Sequence, residues 1–284
     1  MKSKKLILTA DDFGLHESIN TAVETAHQNG ILTSASLVVN GEAFEHAIDI
    51  AKRNINLGVG IHLTLVGEKP ISPIKKIHTI VNEEGKLFEN HNKFCRDILI
   101  YKINLDHIAV ECKAQIDKFL QSGLHPTHID SHRHLHLFPP IFNRLSSILS
   151  TYNIKKIRLL NIPLFDFYYS SGLKQYMFFI LLQYTRFLGK NNFRYPDWFV
   201  GFFKSGRINK SYLKDVLFKL KPGITEISFH PGLNNTQIGE KYGFWDEYHN
   251  WKCNWEEEYQ VLLDSEIKEI IESNNIELIN YSYI

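Results

Sequence analysis

Cysteine is scarce: Cys95, Cys112 and Cys253 are the only three in 284 residues, widely spaced and odd in number. They form no CxxC pair, which excludes a disulfide framework and fits a reducing compartment. An excess of one charge is lacking too. Lys and Arg total 32 against 31 Asp and Glu, a formal net charge of +1, so nothing electrostatic calls for nucleic acid or an anionic membrane as the main partner. No window approaches the ~18 uninterrupted apolar residues of a membrane span. The first residues, MKSKKLILTADDFG, reach charge too soon for the apolar core of a secretory signal. The cytoplasm is therefore the expected location. There is no internal repeat and no low-complexity linker, so one domain over 1–284 is expected.

What is present is an ordinary globular composition, 44% hydrophobic and 22% charged, ample for a large core. Short β-branched, apolar runs at 6–10, 33–39, 58–65, 127–130, 156–160, 225–229 and 277–281 read as strands. Amphipathic stretches at 18–29, 42–53, 106–122, 140–152, 210–220 and 256–273 lie between them and read as helices. Strand-then-helix alternation predicts an α/β fold with a mostly parallel sheet. About seven strands in series favour a distorted or incomplete β/α barrel over an open sheet. Two stretches break the rhythm. Residues 68–97 read as a long polar loop over one rim. Residues 163–207 form an aromatic-rich insertion in which 173–188 can be a helix. The insertion is either a core helix with supporting loops or an apolar lid for a lipid-bearing substrate.

Catalytic groups in parallel β/α folds gather at the carboxyl ends of strands, where the loops share one mouth. Reading each strand into its loop gives Asp11-Asp12 after the first, His62 late in the third, the run HIDSHRHLH (128–136) after the fourth, and His230-Pro231-Gly232 after the sixth. Taken singly, each has a bland reading: a turn and helix cap for the aspartates, a satisfied buried imidazole for His62, a strand-end turn for His230. The histidine run is more specific. If extended, it places His128, Asp130, His132, His134 and His136 on one face, which is no apolar core. A metal or proton-transfer centre fits, with the histidines that are not ligands either touching substrate or orienting the ligands through their second ring nitrogen.

One carboxylate and two imidazoles leave open positions on a divalent cation, as catalysis requires. A free carboxylate as base and an imidazole as acid would complete an amide or ester hydrolase. The same donors suit a non-haem metal oxygenase or isomerase, and His128-Ile129-Asp130 imitates the His-x-Asp element of such oxygenases; strand–helix alternation speaks against their all-β fold. A degenerate sugar-binding module is a further alternative, opposed by the retention of every polar group.

The segments LILTADDFGLHESIN, NGILTSASLVVNG, LGVGIHLTL, PTHIDSHRHLHLFP and ISFHPG, in that order from about Leu6 to the C-terminus, resemble the YdjC-like carbohydrate deacetylases. That family includes chitooligosaccharide deacetylases and hopanoid-biosynthesis deacetylases. The resemblance implies an incomplete β/α barrel and removal of an N-acetyl group from an N-acetylglucosamine-type sugar, releasing acetate. It implies Asp11 as general base and His230 as general acid. Asp12, His62 and His132 would be ligands of one divalent ion, magnesium first and zinc second. Arg158, in KKIRLL, matches an arginine common in the family, for sugar contact or a structural ion pair. The implied partner is an amino-sugar oligosaccharide or a glycolipid, with a homodimer allowed. One departure is that Arg133 stands where relatives often have a third consecutive histidine, which bears on substrate preference. The segments PDWFVGFFKSGR and GITEISFHPG lie closer to the hopanoid branch, for which 176–188 and 198–203 would supply an apolar surface.

Overall fold

The structure, a computed structural model, describes residues 3–169, 173–234, 237–239 and 253–284, with side chains for all of these except 168, 169 and 173–178. In chain order the main elements are β1 (Lys4–Phe13), α1 (Glu17–Asn29), β2 (Ser34–Leu37), α2 (Phe44–Arg53), β3 (Gly58–Leu63), α3 (Ile74–Ile77), α4 (His91–Leu99) and α5 (Leu105–Gln121). There follow β4 (Ile129–Ser131), α6 (Pro139–Thr151), α7 (Leu173–Gly189), β5 (Trp198–Val200), α8 (Lys210–Lys219), β6 (Gly223–Phe229), α9 (Trp255–Leu263), α10 (Ser265–Ser273) and β7 (Ile276–Leu278). The strands run β4-β3-β2-β1-β6-β5, with β7 on the first half of β1. Every ladder is parallel. The sheet curls into an incomplete barrel, the architecture that strand–helix alternation predicts.

β1 shows why the sheet curls around polar groups. Leu6, Ile7, Leu8, Thr9 and Ala10 are all fully buried, as expected of a parallel strand covered on both faces. Leu6 and Leu8 join the large apolar core that the helices cover. The alternate residues face the interior of the curl. Ile7 packs with Ile279 and Tyr281 of the C-terminal tail, which close the lower end. Above them the Thr9 hydroxyl donates to Glu226 at 2.9 Å, and higher still Asp11 meets Arg158. The interior is thus apolar at the bottom and ionic toward the mouth. Gly60 of β3 makes room for it: a Cβ there would lie 2.3 Å from the His128 ring.

Four expectations are corrected. Residues 156–160 are not a regular strand; Ile157 bridges Ile129 and Lys156 bridges Arg194 as single pairs. The reason is that β4 stops at Ser131 and coils away, leaving little edge to pair with. Instead, Trp198–Val200 inside the aromatic insertion supplies β5, pairing with Thr225, Glu226 and Ile227. Residues 68–97 carry α3, most of α4 and an antiparallel bridge between Val81 and Leu87 rather than an unstructured loop. The helix read over 256–273 is two, broken at Asp264 (ψ 122°), whose side chain caps α10 by accepting the Ile267 N–H. Much of the insertion belongs to the core, since Leu182, Phe199 and Phe203 are buried. On α7, however, Ile180, Tyr184 and Phe187 are exposed on one face. The side chains of 176–178, also assigned to the apolar surface, lie outside the described residues. Among the described residues no helix is long and apolar enough to cross a membrane.

Candidate active site

β1 delivers two adjacent carboxylates to one cavity through a local distortion. Its register against β2 shifts between Ala10 and Phe13, and Asp12 adopts the left-handed conformation (φ 64°). A short polar side chain tolerates that region better than most. The break comes at Asp12 itself, ahead of Gly14, which is also left-handed (φ 91°). Asp11 and Asp12 are both buried at the mouth.

β3 and β4 present His62 and Asp130 side by side, as Cα partners in register. His62 Nδ1 donates to Asp130 Oδ1 at 2.7 Å, which turns Nε2 toward Asp12 Oδ1 at 3.5 Å. His132 Nδ1 lies 3.1 Å from the same Asp12 oxygen. The ligand atoms of Asp12, His62 and His132 all fall within 4.8 Å of one another. Among the described residues Asp12 Oδ2 is buried without a hydrogen-bond partner, the kind of orphan atom a cation would satisfy. Asp11, His62 and Asp130 meet the same distance limit, but that space is taken. Both carboxylates there already hold the Arg158 guanidinium, which a cation would have to displace.

Arg158 organises the floor of the site. It is fully buried, with Nη1 2.8 Å from Asp11 Oδ2 and 2.6 Å from Asp130 Oδ2. Nη2 reaches Asp11 Oδ1 and Glu226 Oε1, each at 2.8 Å. The Tyr281 hydroxyl closes the network on Glu226 Oε2 at 2.5 Å. Three of the four interior carboxylates therefore share one guanidinium, while Asp12 is held by imidazoles. Burial pushes the Asp12 carboxyl up, but His132 and then His62 outweigh it and hold it well below the usual range. Burial pulls His62 down, yet Asp130 and Asp12 bring it up to about 10. Negative charge dominates this corner, and the two imidazoles and one carboxylate are a donor set that divalent transition ions accept.

The histidine run does not stay extended. Beyond Ser131 it coils into a tight turn, with Arg133 (φ 57°) and His134 (φ 52°) both left-handed. Its members therefore part company. His128 is fully buried, stacked on Tyr281 with ring centroids 3.8 Å apart, and its Nε2 lies 3.1 Å from Ser36 Oγ. Burial brings it down to about 3. His136 is brought down to about 4 by burial. Its Nε2 lies 2.9 Å from the Arg158 carbonyl, which can only accept, so Nδ1 accepts from the Ser131 hydroxyl. His134 packs against Phe199 and Phe202, and burial holds it well below its usual value. His128, Asp130, His136 and Arg158 have no exposed surface; of these, Asp130 and Arg158 touch the groups at the mouth, His62 and Asp11.

His230, at the end of β6, is 9% exposed, and burial lowers its imidazole. The sequence reading passed over Glu226, Ser36, Tyr281 and Glu258. Glu226 carried a readable signal: a charged residue in the apolar run GITEISF, four before His230 and so on the same strand face. Ser36, whose hydroxyl donates to Asp130 Oδ2 at 2.8 Å, carried none.

Comparison with known proteins follows the same lines. A family model for YdjC-like proteins matches residues 5–273. A carbohydrate deacetylase of Clostridium beijerinckii is 31% identical over 99% of this chain and 100% of its own length. A carbohydrate deacetylase of Thermoanaerobacter pseudethanolicus is 30% identical over 99% of both chains. A chitooligosaccharide deacetylase of Proteus mirabilis is 39% identical over 48% of this chain and 52% of its own. A crystal structure from Enterococcus faecalis, described as a candidate cellobiose-phosphate cleavage protein, superimposes with a TM-score of 0.80 at 27% identity, covering 99% of this chain and 98% of that one. A match of this extent, with relatives aligned end to end, means that the chain belongs to the YdjC-like family.

Proposed function

We propose that the protein is a metal-dependent carbohydrate N-deacetylase, hydrolysing the acetamide of an N-acetylglucosamine-type sugar to a free amine and acetate. The observation that carries this reading is the grouping of Asp12, His62 and His132 within 4.8 Å around an unpartnered carboxylate oxygen, with Asp11 and His230 at the same mouth. Relatives described as carbohydrate and chitooligosaccharide deacetylases support it.

Asp12, His62 and His132 would hold one divalent cation. When bound, such an ion lowers the pKa of a coordinated water and polarises an acyl oxygen. The donor chemistry favours zinc or a similar transition ion over the magnesium expected from the resemblance, because magnesium prefers an all-oxygen environment. Asp11 is the base. Arg158 grips both of its oxygens from below, fixing the carboxylate plane while leaving each oxygen a lone pair for the proton of the attacking water. His230, on β6 next to β1, gives a proton to the departing nitrogen as the C–N bond breaks. The protonated Asp11 and the deprotonated His230 then reset through solvent, so that one water is consumed and no net proton is stored.

We read the substrate as a soluble amino-sugar oligosaccharide rather than a glycolipid. Phe199, Val200 and Phe203, the centre of the apolar surface assigned to a lipid, are packed into the core. The test is acetate release from N-acetylglucosamine oligosaccharides by protein with its metal content measured, beside an acetylglucosaminyl lipid in detergent. Acetate from the oligosaccharide, abolished in Asp11→Asn with metal still bound, is the expected result. No acetate from either substrate with any divalent ion would remove the reading, and oxygen consumption instead would favour an oxygenase.

A further inference from the structure

Glu258 lies in the first turn of α9, outside every motif that marks the site, and is fully buried. Its Oε1 accepts the Ile208 N–H at 2.7 Å and its Oε2 accepts the His230 N–H at 2.5 Å. The same Oε2 stands 3.8 Å from His230 Nδ1, a buried ring nitrogen that has no hydrogen-bond partner among the described residues. The rest of the helix start grips the same segment. The Trp255 carbonyl accepts the Gly232 N–H at 3.1 Å, and a Cβ on Gly232 would come within 3.1 Å of the Trp255 side chain. The Asn254 N–H reaches back to the Gly206 carbonyl at 2.7 Å. The chain after β6 is therefore fastened to α9 rather than left as a loop.

A buried carboxylate without a cationic partner is unfavourable by several kcal/mol, and among the described residues the ion-pair partner of Glu258 is His230. Burial pushes its carboxyl up to about 8, a penalty that a hydrogen bond from an imidazolium Nδ1 would offset. The carboxylate sits where its free lone pair is a small ring movement from Nδ1.

We propose that Glu258 is the positioning residue of the general acid: it fixes the backbone of His230 and accepts a hydrogen bond from the Nδ1–H of its ring, so that the transferable proton is carried on Nε2 and aimed at the leaving nitrogen. This rests on the deacetylase reading for its kinetic test. During turnover the Nε2 proton passes to the amine nitrogen, the Nδ1 proton stays on the ring beside Glu258, and Nε2 is recharged from solvent.

Glu258→Gln keeps one acceptor oxygen but puts an amide donor in place of the other, so the side chain can no longer accept from both the Ile208 N–H and the His230 N–H and ring. Its kcat for a chitooligosaccharide should fall ~30–100-fold, a typical share of general-acid catalysis, with KM and metal content nearly unchanged. Hydrolysis of 4-nitrophenyl acetate, whose leaving group needs no proton, should change by less than about 3-fold. In a His230→Ala background the same substitution should have no further effect on kcat. Equal losses on amide and ester, or a further loss in the His230→Ala background, would reassign Glu258 to a structural role. Should the variant not fold, the wild-type chain with 15N-labelled histidine decides the matter. The His230 signals, identified by their disappearance in His230→Gln, should show a protonated Nδ1; a bare Nδ1 overturns the proposal. That measurement needs no turnover, so failure of the deacetylase reading and failure of the pairing are separable.

Discussion

Removing the guanidinium of Arg158 is the most severe single perturbation of the interior, and its size can be worked out. The side chain has no exposed surface and contacts Asp11, Asp130 and Glu226 at 2.6–3.0 Å. Arg158→Met keeps most of the aliphatic volume but leaves Asp11 and Glu226 without this cation and Asp130 with His62 alone. Breaking one buried pair costs about 3–5 kcal/mol. The three losses do not add, because the orphaned groups are coupled and can take up protons instead. The expectation is a loss of about 4–5 kcal/mol at pH 7, a large part of the stability of a typical domain. The sign with pH follows. In the variant the orphaned carboxylates bind protons more tightly folded than unfolded, so the deficit is present above their unfolded pKa and shrinks as pH falls toward about 4. Adding Glu226→Gln removes one of the excess charges and should restore about 1–2 kcal/mol, a coupling visible only as non-additivity. Urea unfolding of the single and double variants at pH 7 and 4.5, with chelator in every sample, measures all of these quantities. A single variant within about 1 kcal/mol of wild type at pH 7 would refute the view of Arg158 as the counter-charge of the interior.

His132→Ala should lose stoichiometric metal while keeping a cooperative unfolding transition, measured by metal analysis after gel filtration. Retained metal would move the site elsewhere. Gly60→Ala should destabilise by about 1–3 kcal/mol, because the new Cβ would lie 2.3 Å from the His128 ring; an unchanged thermal midpoint would show that the ring yields freely. Asp166 is buried, accepts the Tyr212 hydroxyl at 2.5 Å, and is pushed by burial from 3.8 up to about 6. Its folded pKa exceeds the unfolded one, so the protonated form's stabilisation is complete below 3.8 and lost as pH rises through about 6. Between pH 4 and 7 the wild type should lose about 2.4 kcal/mol relative to Asp166→Asn, measured by urea unfolding across that range; parallel curves would refute the assignment.

Much of the site was legible because parallel α/β folds place loop residues predictably. Asp11, Asp12, His62, His132 and His230 each follow or end an apolar run, and alternation alone assigns them to one rim. What escaped has physical causes. Period-two reasoning requires extended backbone, and the histidine run leaves it at His132, so one stripe of five side chains becomes several separate environments. The strand read over 156–160 was wrong for a related reason: its apolar residues are buried, but its neighbours offer only isolated pairs. Glu258 approaches His230 from a helix 28 residues away in sequence, a relation that no local pattern encodes.

Glu226 shows how position on a strand turns one residue type into a different chemical object. It shares its face of β6 with Ser228 and His230, yet burial pushes its carboxyl up while Arg158 and Tyr281 pull it down. An apolar side chain would fill that space at less desolvation cost, and the tier below, Ile7 with Ile279, is filled in just that way. The polar tier begins at Thr9 and Glu226 because Arg158 takes a third anchor there, beside Asp11 and Asp130. With Asp11 and Asp130 alone, both on the Nη groups, Nε would lack a partner and the guanidinium could rotate, and the carboxylate plane at the mouth would rotate with it. Glu226 engages Nε and Nη2, the edge of the guanidinium that Asp130 does not reach, and so fixes the rotation on which the aim of Asp11 depends. The ionic floor is therefore an aiming device whose stability cost is borne by the apolar tiers around it.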